Sequence, residues 1–165
     1  MTIADLERPV LDALEEQGIP YVRIEHPPVI TVEEAEERWK GLPGAHCKNL
    51  FLRNQRGNRH YLVVAEASRR IDLRELARKI GEDRLSFGSP ERLKKCLGVE
   101  PGAVSPFGLI HDEGRRVFVL IEKSLRDSKD VIFHPNVNTA SLSLAFADLE
   151  RFLSHCGNTI DYIVF

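Results

Sequence analysis

His46-Cys47-Lys48-Asn49-Leu50-Phe51-Leu52 puts a lysine and an asparagine at the mouth of an apolar run that reads as a buried strand. Burying an unpaired ammonium against such a run is costly, so Lys48 is a candidate for a task rather than for packing. Just downstream, Asn54-Gln55-Arg56-Gly57-Asn58 reads as a hairpin turn. It joins a strand over 49–53 to a second over 60–65. A hairpin here argues against a purely parallel, doubly wound sheet.

Further strand-like runs lie at 21–25, 84–87, 116–121, 131–133, 140–144 and 160–164. Helices announce themselves by their ends. Residues 2–17 place Leu6, Val10, Leu11 and Leu14 on one face and stop at Gly18, with the regular part expected to begin near Pro9. Thr31-Val32-Glu33-Glu34 is a capping box opening a short acidic helix to Trp39. Asp72 and Ser89 open two more helices, closed by Gly81 and Gly98. The last runs over 148–156, before Gly157. Hairpins among scattered helices predict an α+β, mixed α/β fold: one domain over 1–165 with a central mixed, largely antiparallel sheet flanked by helices.

The 165 residues suffice for one sizeable core. Hydrophobic residues at 42% and charged residues at 29% are ordinary for a globular protein. No run has membrane-span length, and the acidic N-terminus lacks a signal-peptide pattern, so a cytoplasmic protein is expected. Cys47, Cys96 and Cys156 read as reduced thiols. A net charge of −2 excludes a bulk polyanion binder, and any nucleic acid must meet a local patch.

His46 and Cys47, adjacent on a strand, face opposite sides, so a cysteine–histidine pair is disfavoured against a plain core thiol. No metal-ligand spacing stands out. Gly102-Ala103-Val104-Ser105-Pro106-Phe107-Gly108 is a tight loop. It is either a structural turn or a row of N–H groups for an oxyanion. His134, in Phe133-His134-Pro135-Asn136, is a strand-end histidine or a catalytic one. Arg69, Arg70, Arg74, Arg78, Lys79 and Arg84 form a solvated face or a phosphate contact.

Five segments in order resemble the YbaK-like editing domain family, related to the editing domain of bacterial prolyl-tRNA synthetases. They begin with the run from His26-Pro27-Pro28 to Ala35, then Cys47 to Leu52. Leu85-Ser86-Phe87-Gly88, the Gly102 to Pro106 loop and Phe133-His134-Pro135 follow. The match is to the freestanding prolyl-tRNA editing type. It implies a trans-acting deacylase of alanine mischarged onto proline tRNA. The alternatives are cysteine or serine editing, or a non-catalytic tRNA- or DNA-binding module.

The resemblance implies no cofactor or metal. The implied partners are the 3′ aminoacyl end of mischarged tRNA and prolyl-tRNA synthetase, with no membrane. It implies catalytic roles for Lys48, Asn49, Gly102, Ser105, Pro106 and His134. Val29, Ile30, Thr31, Ser86 and Phe107 are implied to line the substrate site. Lys48 would hold the terminal phosphate or aminoacyl end, Asn49 would orient it, and the 102–106 amides would hold the carbonyl or water.

Overall fold

A computed structural model describes residues 2–28 and 42–165. Helix α1 (Ile3–Glu16) opens with a reciprocal capping box between Thr2 and Asp5. It buries Val10, Leu11 and Leu14. Pro9 sits inside it, so the helix starts six residues earlier than expected. The box and the buried leucines hold the first turns despite the one lost donor. Helix α2 (Leu73–Ile80) is capped by Asp72 and stopped by left-handed Gly81. Helix α3 (Pro90–Leu97) runs from Ser89 to left-handed Gly98. Helix α4 (Phe146–Cys156) begins two residues before its expected start. The expected helix at 31–39 lies outside the described residues.

The strands are β1 (Val22–Glu25), β2 (Ala45–Asn54), β3 (His60–Glu66), β4 (Leu85–Phe87), β5 (Val117–Glu122), β6 (Asp130–Phe133), β7 (Ala140–Ala145) and β8 (Ile160–Ile163). They form one mixed sheet in the order β1-β7-β6-β2-β3-β5-β8, with β4 also on β2. The β2–β3 hairpin is antiparallel, as expected. Its turn is held by Asn54 Oδ1, which accepts from the N–H groups of Asn58 and Arg59. Parallel junctions join β2 to β6, β3 to β5 and β5 to β8. Two 3-10 helices, Pro106–His111 and Lys123–Asp127, have no clear sequence signal.

Strand alternation divides the core between two faces. On one, Phe51, Leu62, Val64, Val119 and Leu142 pack under α1, α3 and α4. On the other, Leu52, Tyr61, Val63 and Leu120 pack under Leu76 and Ala77 of α2. Among the described residues, no helix is long and apolar enough to cross a membrane.

Candidate functional site

Strand β2 begins at Ala45, four residues before its expected start, because Ala45 and His46 pair in parallel with Val131 and Ile132 of β6. Lys48 and Asn49 therefore lie within the strand, not at its mouth. Strand β3 occupies one edge of β2 from Cys47 to Arg53. The other edge is shared: β6 takes Ala45 and His46, and β4 takes Leu52 to Asn54. Between them, among the described residues, no strand pairs with that edge. The sheet splits beside Lys48 and Asn49.

Alternation along β2 sends these two side chains to opposite faces. Lys48 shares the face of Leu50 and Leu52, under α2. Its side chain has no carboxylate partner among the described residues. Asn49 shares the face of Cys47 and Phe51. Its Oδ1 is buried and accepts no hydrogen bond among the described residues. An orphaned buried acceptor costs about 1–3 kcal/mol, so its retention calls for a reason beyond stability.

The Gly102 to Pro106 loop stands on Asn49's face, where Phe107 enters the core. Gly102 is left-handed at φ 91°, and the Ala103 N–H closes the turn onto Glu100 O. Ser105 is fully buried, and its hydroxyl caps the 3-10 helix by accepting from Phe107 N at 3.1 Å. Its side chain is thus committed to structure. The N–H groups of Val104 and Ser105 meet no acceptor among the described residues. Phe107 is wholly enclosed, edge-on to Phe133 and Phe152. Its ring anchors the loop and has no surface to offer a substrate.

His134 follows directly on β6. Its Nδ1 donates to Ala140 O at 2.8 Å, which places the neutral ring's lone pair on Nε2. Burial lowers its pKa against the raising effect of that bond, and nearby His26 lowers it further. The His26 ring lies 5.8 Å away. His26 Nδ1 donates to Pro27 O, and the Ser141 hydroxyl donates to its Nε2 at 2.8 Å. Ser141 has no exposed surface, so this serine–histidine pair is structural. A cleft of about 480 Å³ opens beside His26, lined by Arg23, Glu25, Pro27 and Thr139.

Cys47 is no nucleophile at neutral pH, because burial pushes its thiol up to about 12. Ser86 is half-buried in β4, in register with Arg53. Val29, Ile30 and Thr31 lie outside the described residues.

Asn136 was not singled out by sequence. It is 2% exposed, left-handed at φ 63°, and its Nδ2 donates to Phe107 O at 3.4 Å. A buried non-glycine residue in that conformation persists only where its surroundings demand it. It ties the turn after His134 to the 3-10 helix after Pro106. His26 and Asn136 stood inside quoted motifs, whereas Ser141 carried no signal. Its role depends on a contact across 115 residues.

Residues 26–152 match the model of the aminoacyl-tRNA editing domain. The prolyl-tRNA editing protein ProX of Acetoanaerobium sticklandii is 44% identical over 159 residues, covering 96% of this chain and 97% of that protein. The prolyl-tRNA synthetase associated domain-containing protein 1 of Xenopus laevis is 35% identical, covering 93% and 94%. A solved structure provisionally assigned as a trans-editing enzyme for prolyl-tRNA synthetase superposes with a TM-score of 0.70 at 20% identity, covering 99% of each chain. That last likeness speaks for the fold alone.

Proposed function

The chain belongs to the aminoacyl-tRNA editing domain family, and on that premise we propose that it hydrolyses alanine mischarged onto proline tRNA, acting in trans in the cytoplasm. It is a hydrolase of the aminoacyl ester, as its similarity to a prolyl-tRNA editing protein along nearly the whole of both chains supports. The observation that carries the chemistry is the split in the sheet. There, on opposite faces of an unpaired stretch of β2, stand a cation without a carboxylate partner and an amide oxygen without a donor among the described residues.

The bond to be cut is an activated ester, so little covalent help from the protein is needed. A positioned water, a neutral base and donors for the developing oxyanion suffice. Lys48 supplies a fixed positive charge for the terminal phosphate or the aminoacyl end. The Asn49 oxygen is an acceptor for a substrate donor, such as the α-ammonium group or a ribose hydroxyl. The half-buried Val104 N–H serves the carbonyl oxygen, and His134 is a candidate base.

The choice of alanine follows from size. A synthetase pocket shaped for proline gains only about 1–3 kcal/mol per missing methylene in rejecting a smaller side chain. A second, smaller site corrects that error, and Val29, Ile30 and Thr31 are proposed to line it. Catalytic amounts of the purified protein should release alanine from Ala-tRNA(Pro). Release of cysteine or serine but not alanine would move the substrate assignment to a sister activity. Binding without release of any amino acid would support a non-catalytic module.

A further inference from the structure

Phe87 ends β4 with 62% of its surface exposed, whereas Leu85 on the same face is 6% exposed. Fully burying such a ring is worth about 1.5–3 kcal/mol, and this one stays in water. Its backbone is nonetheless fixed. Gly88 N donates to Phe51 O at 2.9 Å, and a Cβ at Gly88 would lie 2.4 Å from the Phe51 ring. The ring is therefore an exposed aromatic surface on a fixed stretch of backbone beside the split in the sheet.

The register Leu52↔Phe87 places the ring on the face of Leu52, Leu50 and Lys48. Lys48 is four residues from Leu52, about 13 Å along the strand at 3.3 Å per residue. Helix α2 covers the same face and carries exposed Arg74 and Arg78. Neither has a carboxylate within ion-pair distance among the described residues. An exposed aromatic ring on the face that also carries Lys48 and the cations of α2 is the kind of arrangement that binds single-stranded nucleic acid without a base code. A second copy of this chain would bring the same cations to the contact, which disfavours self-association.

We propose that Phe87 is a stacking platform for a nucleobase in the single-stranded 3′ end of the tRNA. It would hold that end while Lys48 engages the phosphate or aminoacyl group. The proposal rests on the reading of the substrate as tRNA. It makes Phe87 a positioning residue with no part in the chemical step.

The test measures binding of an uncharged RNA oligonucleotide ending in CCA, and of the same oligonucleotide with abasic 3′ residues. Phe87→Ala and Phe87→Leu should weaken binding of the first about tenfold, within the range for one stacked base. Phe87→Trp should restore it. The added indole emission, after subtraction of the wild-type signal from Trp39, should be quenched by the CCA oligonucleotide. The abasic oligonucleotide should bind wild type and Phe87→Ala equally. Wild-type affinity in Phe87→Leu, or an equal loss on the abasic oligonucleotide, would overturn the proposal. A wild-type dimer that Phe87→Ala makes monomeric would also overturn it, assigning the ring to a second copy. Stacking on Phe87 by a protein that cleaves no charged tRNA would sink the hydrolase reading alone. A deacylase whose KM is indifferent to Phe87→Leu would sink this proposal alone.

Discussion

Replacing Asn49 by leucine should raise stability and abolish efficient deacylation together. The side chain lies on the face of Cys47 and Phe51, with a buried Oδ1 that accepts nothing from the described residues. An unsatisfied buried acceptor costs about 1–3 kcal/mol, and an apolar side chain of similar shape removes that cost. For a chain of 165 residues, each kcal/mol moves Tm by about 2–4 °C. Asn49→Leu should therefore melt several degrees higher by calorimetry. If Asn49 orients the substrate, turnover of Ala-tRNA(Pro) should fall at least about tenfold, equivalent to about 1.4 kcal/mol of barrier. This opposition is what a site residue retained against its structural cost predicts. A lowered Tm would show that the oxygen is satisfied in solution. Unchanged turnover with a raised Tm would remove Asn49 from the site.

Lys48→Ala should likewise cost at least about tenfold in kcat/KM, with little change in Tm, because the ammonium has no carboxylate partner among the described residues to lose. Near-wild-type deacylation by the folded variant would refute its role. Gly88→Ala should destabilise by about 1–3 kcal/mol, because its Cβ meets the buried Phe51 ring at 2.4 Å; an unchanged melting curve would contradict the packing described. Burial lowers the pKa of His60, His111 and His134 below the ordinary 6.5, so the unfolded chain binds more protons in that range. Stability should be full above about pH 6.5 and decline as pH falls below it, and His134→Gln should flatten part of that decline in a series of melts. An unaltered pH profile would remove His134 from the account.

Local chemistry made much of the fold legible. Thr2, Asp72 and Ser89 capped helices, and Gly81 and Gly98 ended them in left-handed turns. Asn54 and Gly57 made the β2–β3 turn. What escaped the sequence was non-local. The extension of β2 back to Ala45 depends on β6, more than eighty residues away. The division of Lys48 and Asn49 between two faces follows once the strand contains both, but the split beside them needs β4 and β6 on one edge. The loop at Gly102 to Pro106 was visible from its glycines and proline. That Phe107 and Ser105 serve packing and capping there was not, because their partners are Phe133, Phe152 and a 3-10 helix. Val29, Ile30 and Thr31 remain proposals drawn from the family resemblance.

The chain is proposed to remove alanine from proline tRNA by a site too small for proline. The most direct measurement compares single-turnover rates on one tRNA(Pro) preparation charged separately with alanine and with proline. Dense packing yields little to a ring that overlaps the wall, so alanine should be released faster by a factor on the order of a hundred or more. Equal rates for the two esters would contradict the account, even if both reactions required Lys48.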